Sequence, residues 1–276
     1  LTLSEGKIRE ATEFFDEVIF DYPQTTFRAD ALLGRAAGFS IEGQHQESIQ
    51  DYQEACTAIE NSPSSDEQRL RRIAIALADR HDAAIVQRDL VLALDYIVLA
   101  NGFFPSERPP VSVLERLAST SRQLADNLAT NESVVSSITK AHKLYKQAGD
   151  THLAIAQAIQ ALDNHDNQLA THLRLATESY DQGAWRSSTI EVCQTYLASF
   201  PVSDPWAPEI RRRLATNHEA QLNYENAALI YQEVVDLHPS SPAATASFVP
   251  LARCLRSLGR SSEAKQHLLA VISGDR

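Results

Sequence analysis

The feature that most constrains this chain is a residue spacing that returns along its length. Near the start, Gly6, Ala11, Phe15, Val18 and Pro23 follow one another at steps of 5, 4, 3 and 5. The pattern comes back as Gly43, Ser48, Tyr52 and Ala55, as Ala93, Ile97, Ala100 and Pro105, and as Gly149, Ala154, Ala158 and Ala161. It continues as Gly183, Ser188, Val192 and Thr195, as Ala227, Tyr231, Val234 and Pro239, and as Gly259, Ala264, Leu268 and Val271. The small anchors (Ala11, Ser48, Ala93, Ala154, Ser188, Ala227, Ala264) are separated by 37, 45, 61, 34, 39 and 37 residues. Four of these six gaps fall between 34 and 39, so one supersecondary unit repeats with insertions.

The spacing has a direct physical reading. Steps of 4 and 3 place three residues on one helical face. The small residue lets a neighbouring helix come close, and the larger apolar residue one turn later fills the space beside it. A glycine five residues earlier ends the preceding helix and turns the chain. Proline, where present, closes the helix. Upstream lies a second amphipathic stretch, as in Leu32, Ala36 and Phe39, in Leu175 and Ala176, in Leu214 and Ala215, and in Leu251 and Ala252.

On these residues the chain resembles the tetratricopeptide repeat family, whose pattern is a helix with Leu and a small residue, a Gly turn, then Ala, an aromatic, Ala and a terminal Pro. The clearest stretches are Gly6–Pro23, Leu32–Ala55, Leu214–Pro239 and Leu251–Val271. "FDEVIFDYPQTTFRADALLGRA" is similar to the variant in bacterial envelope assembly lipoproteins and tol-pal accessory proteins. The resemblance covers roughly 1–105 and 132–276. It implies an all-α, right-handed α-solenoid of helix-turn-helix repeats with about fourteen helices. It also implies an N-terminal block (1–105), an inserted Pro-started connecting helix (106–131) and a C-terminal block (132–276).

Several residues depart from the family pattern. The first-helix Trp is absent from every unit, His81 stands where a small residue is expected, and Arg88 and Leu222 replace the turn glycine. Pro250 falls inside an expected first helix, which is therefore kinked or begins late.

The net charge of −11 argues against a general nucleic-acid footprint. Residues 1–66 hold 13 acids against 4 bases, a net of −9, and residues 205–276 hold 7 against 8, a net of +1. Such asymmetry marks either different partners at the two ends or a solvated acidic face. No run approaches the length of a membrane span, and the first residues lack the basic stretch followed by an apolar run that marks a signal peptide. Cys56, Cys193 and Cys254 are too widely spaced for a disulfide framework or a zinc site, and read as small buried hydrophobes.

The chain begins at Leu1 and contains no Met, so it reads as part of a longer protein. Its first helix carries Ile8, Phe14, Phe15, Val18, Ile19 and Phe20, more apolar surface than one neighbour covers. Leu268, Leu269, Val271 and Ile272 leave a similar stretch at the other end, and a solenoid needs polar caps. Either the natural protein extends past these ends or they bury against a second copy, giving a homo-oligomer.

Nothing marks a catalytic centre. The nine histidines include no HExxH, and His165 and His172, seven apart, do not share a helical face. His142 and His218 fall at packing positions. "DNHDN" lacks the central Gly and the bidentate Glu of a calcium loop. No phosphate-binding glycine loop or nucleophile elbow occurs. No cofactor and no metal site is expected, and the chain is read as non-catalytic.

The resemblance instead implies a concave groove lined by first helices. Its positions carry over to Glu209, Arg212, Thr216 and Glu219, then Arg253, Arg256 and Ser257, with Lys143 and Lys146 in the unit before Gly149. Three arginines on one groove either clamp carboxylates of an extended acidic peptide or pair with Glu209, Glu219 and Glu225. Trp206 is a candidate anchor. Thr139, Leu173 and Thr177 stand where chaperone-gripping members carry other residues, so that activity is not implied. The expected function is a protein-interaction scaffold or adaptor taking peptide or helix ligands. The alternatives are a regulatory or sensor module of a larger protein and a self-assembling oligomer. The resemblance points to the periplasm or cell envelope; the cytoplasm is the alternative.

Overall fold

The computed structural model describes residues 7–60, 67–104, 109–130, 135–161 and 166–273. They form thirteen α-helices: α1 (Ile8–Asp21), α2 (Arg28–Ile41), α3 (His45–Glu60), α4 (Glu67–Val86), α5 (Leu90–Gly102), α6 (Val111–Ala129), α7 (Val135–Gln160), α8 (Asp166–Gln182), α9 (Arg186–Ser199), α10 (Ala207–Ala220), α11 (Tyr224–Leu237), α12 (Pro242–Ser257) and α13 (Ser261–Ser273). Among the described residues there is no strand. Gly6, Pro105, His165 and the side chains of Val271 and Ile272 lie outside the described residues.

The chain divides into two compact units, up to Thr120 and from Ser121, a boundary inside α6. In the first, α1 packs on α2, α2 on α3, and α5 on both α4 and α3. Its core gathers Ala36, Tyr52, Leu77, Tyr96, Ile97 and Phe103, with Val113 and Leu117 of α6. In the second, each helix from α7 to α13 packs on the next, and α8, α10 and α12 also meet in series. This packing of helix on successive helix is that of an α-solenoid.

Five turns between helices close in the same way. The backbone N–H groups of Gln44, Asp89, Trp185, Asn223 and Arg260 each donate to the carbonyl five residues back, at 2.8–3.0 Å. The residue before each is left-handed: Gly43 (φ 79°), Arg88 (62°), Ala184 (56°), Leu222 (63°) and Gly259 (77°). This is the Schellman closure of a helix C-terminus. Five residues beyond stand Ser48, Ala93, Thr189, Ala227 and Ala264, all buried, so one turn geometry sets the packing phase of each second helix.

This regularity corrects two expectations. In the turn between α8 and α9 the left-handed residue is Ala184 rather than Gly183. The packed face is therefore Thr189, Cys193 and Tyr196, one residue later than Ser188, Val192 and Thr195. Gly149 is no turn at all: α7 runs unbroken for 26 residues through it. A side chain there would put its Cβ 2.7 Å from the Tyr180 ring, and at Gly183 it would lie 2.8 Å from Tyr145 Cβ. Both glycines let α7 and α8 approach closely. The helix expected to end at Gly149 thus merges with its successor.

Two further departures resolve locally. His81 is buried, with Nδ1 hydrogen-bonded to Asp82 (2.7 Å) and Nε2 to Thr120 (2.8 Å). The helix carrying Pro250 does not begin late: Ser241 caps it by accepting from the Ala244 N–H at 3.1 Å, and it starts at Pro242. Cys193 and Cys254 are buried, while Cys56 is half-buried. Buried tyrosines repeat one device, each ring in the core and each hydroxyl donating to a carboxylate: Tyr145 to Asp126 (2.6 Å), Tyr180 to Asp150 (2.8 Å), Tyr196 to Asp204 (2.7 Å).

Candidate functional site

The second unit carries its charged side chains in series along α8, α10 and α12. The α10 helix starts after Trp206, whose N–H donates to Asp204 at 2.9 Å, with Pro208 in its first turn. Ile210, Leu214 and Ala215 face the core, which turns Glu209, Arg212, Thr216 and Glu219 away from it. On α12, burial of Phe248, Leu251 and Leu255 leaves Arg253 and Arg256 exposed in the same way.

The candidate residues are joined to one another. Arg212 donates twice to Glu209 (2.8 and 2.7 Å), and Arg213 donates to Glu209 (3.0 Å) and to Asp181 of α8 (2.7 Å). Thr216 Oγ1 lies 2.9 Å from the Tyr231 hydroxyl, which donates to Glu219 at 3.2 Å. Arg253 donates twice to Glu219, at 2.5 and 3.0 Å. Burial alone would raise the Glu209 pKa, but the guanidiniums of Arg212 and Arg213 outweigh it and hold that carboxyl below its usual range. The Arg212 and Arg253 pKa values are raised by their hydrogen bonds to Glu209 and Glu219. Of the three arginines considered as a clamp, two are thus engaged bidentately within the protein. Arg256 is exposed and has no ion-pair partner among the described residues.

Lys143 and Lys146 stand apart from this network, on the unbroken α7. Lys143 is exposed. Lys146 holds Asp150 at 2.8 Å and lies 5.5 Å from the centre of the Trp185 ring. Trp206 is half exposed and carries the Arg174 guanidinium 4.5 Å over its ring.

Sequence reading missed Arg174, Glu178 and Asp181 on α8. Glu178 accepts from Arg174 (2.6 Å) and from Arg122 (3.1 Å), and Asp181 accepts from Arg213 and from Asn217 (2.9 Å). The one-residue displacement of the α8–α9 turn explains the omission. Counted back from Gly183, the matching positions fall on Leu173 and Thr177, both buried. Counted from Ala184 they fall on Arg174 and Glu178, the equivalents of Arg212 and Thr216 counted from Leu222. A second signal was available: Glu219 and Arg253, opposite in charge, stand one repeat length apart.

Among the described residues, no group of three or more His, Cys, Asp or Glu is arranged to hold a metal, and no described helix is long and apolar enough to cross a membrane. The sequence model of the tetratricopeptide repeat family matches residues 212–241, which begin in α10 and include all of α11. No curated protein matches the chain. Solved structures similar to it include MamA of AMB-1, 13% identical, TM-score 0.42, over 76% of this chain and 93% of that one. The Cut9–Hcn1 hetero-tetramer of APC/C is 17% identical, TM-score 0.35, over 91% of this chain and 40% of that one. BtubC from P. vanneervenii is 14% identical, TM-score 0.34, over 87% and 92%.

Proposed function

We propose that this chain is a non-catalytic scaffold that binds protein partners, and that a peptide or helix ligand lies along the face made by α8, α10 and α12. The carrying observation is that this face collects charged side chains from three successive hairpins, with apolar side chains turned to the core behind them. Arg256 supplies a cation with no ion-pair partner among the described residues. Arg212 and Arg253 are already oriented by Glu209 and Glu219, so a ligand carboxylate gains from them only by displacing those partners. A ligand with alternating charge fits this face better than a uniformly acidic one, because it pairs with Asp181 and Glu219 as well as with the arginines. The bacterial-envelope setting is carried by the resemblance of residues 15–36 alone.

The test is partner capture from a lysate of the source cell, comparing the wild type with Arg212→Ala/Arg253→Ala/Arg256→Ala. Circular dichroism checks that the variant keeps its helix content. A partner retained by the wild type and lost from the helical variant supports the reading. Equal retention by both refutes it.

A further inference from the structure

Among the described residues, the α1 helix is covered on one side only. It rests on α2 through Ile8, Ile19, Phe15 and Val18. Its other apolar side is open: Phe14, Tyr22 and, at the start of α2, Phe27 are each 60–68% exposed. These rings, with Phe15, Val18, Thr25, Asp30 and Ala31, line an open cavity of about 340 Å³. Phe14, Val18 and Tyr22 are four residues apart, so they form one ridge along α1, about 12 Å long at 1.5 Å per residue. Two turns of a partner helix match that length. Single exposed apolar side chains need no explanation, but a contiguous aromatic ridge bordering a cavity marks a binding surface.

The charges beside the ridge decide what kind of helix fits. At 100° per residue, Glu10, Glu13, Glu17 and Asp21 fall on the flank of α1 next to Phe14 and away from α2. Glu10, Glu17 and Asp21 have no ion-pair partner among the described residues. The bases nearby are mostly committed: Arg9 to Glu13 (3.6 Å), Arg28 to Glu54, and Arg35 to Asp16 (2.6 Å) and Asp51 (2.7 Å). Lys7 precedes the helix.

We infer that the exposed face of α1 is a docking site for an amphipathic partner helix with an apolar stripe and a row of lysines or arginines along one edge. The stripe packs between Phe14, Val18, Tyr22 and Phe27, and the basic edge meets Glu10, Glu17 and Asp21. This surface shares no residue with the α8–α10–α12 face, and its exposed charges are acidic rather than mixed.

The probe is a labelled 18-residue synthetic helix with leucines at i, i+3, i+4 and i+7 and lysines along one flank, titrated into the full chain by fluorescence anisotropy. Its control carries glutamates in place of the lysines. The expected result is binding of the lysine helix at least tenfold tighter than the glutamate helix. Phe14→Ala/Tyr22→Ala should weaken it tenfold or more, and Glu17→Lys/Asp21→Lys should invert the preference. All four residues are exposed, and the variants' unchanged thermal melts verify the fold. Equal binding of the two helices, or binding untouched by Phe14→Ala/Tyr22→Ala, overturns the inference. So does self-association of the chain, seen by light scattering, that Phe14→Ala/Tyr22→Ala abolishes, because the face then belongs to a second copy.

Discussion

Replacing Leu222 by glycine is expected to stabilise this protein, although it removes a large apolar side chain. Leu222 sits at φ 63°, where an L-residue's Cβ crowds the following carbonyl at a cost of about 1–2 kcal/mol. Its side chain is 70% exposed, so little burial is lost. Glycine removes the clash but returns roughly 0.5–1 kcal/mol through its freer unfolded chain. The balance favours Leu222→Gly by about 0.5–1 kcal/mol, or roughly 1–4 °C in melting temperature for a unit of this size. The assay is urea denaturation and thermal melting of the full chain beside Leu222→Ala, which trims the side chain and keeps the strain. A gain for glycine absent from alanine is the expected outcome. Equal shifts for both variants, or a loss for glycine, would refute the argument that backbone strain dominates at this turn.

Gly149 tests the opposite sign. Gly149→Ala drives a Cβ to within 2.7 Å of the buried Tyr180 ring and is expected to destabilise by about 1–3 kcal/mol, read as a lower urea midpoint. His152 and His172 face each other across α7 and α8, their Nδ1 atoms 3.2 Å apart. Burial, then the His172 ring, then Arg122 and Arg174 lower the His152 pKa to about 4, while Glu178 accepts from both arginines. The unfolded chain takes up this proton near pH 6.5 and the folded chain only near 4. Stability is therefore full above 6.5 and falls as pH drops towards 4, by about 2 kcal/mol at pH 5. A pH series of urea midpoints checks it, and His152→Phe should flatten the slope. Finally, burial pushes the Cys193 and Cys254 thiols up to about 12. A thiol reagent at pH 8 is thus expected to modify the half-buried Cys56 in the folded chain and the other two only on unfolding.

Much of the fold was legible because turn and packing residues recur at fixed offsets. Ser48, Ala93, Ala227 and Ala264 mark the second helices because a small residue must sit where two helices touch, and composition records that need. Glycine was the ambiguous letter. Gly43 and Gly259 supply left-handed turns, whereas Gly149 and Gly183 supply close approach between α7 and α8. The letter is the same and the reason differs. That ambiguity moved the expected frame of α8 by one residue and hid Arg174 and Glu178.

The sequence by itself determined the helical content, the unit length and the apolar faces, since these depend on neighbours three and four residues apart. It also placed Arg212, Thr216, Glu219 and Arg253 on one face, because they fall at one phase of repeated helices. Only the tertiary structure decided that Ala184 rather than Gly183 carries the turn between α8 and α9 and that α7 continues through Gly149. It alone joined Arg253 of α12 to Glu219 of α10, one repeat length away. Those outcomes depend on where the Tyr180 ring, the Tyr145 side chain and each guanidinium come to rest. The contacts of Gly149 with Tyr180, of Gly183 with Tyr145 and of Arg253 with Glu219 join residues thirty or more positions apart, and no local periodicity encodes such distances.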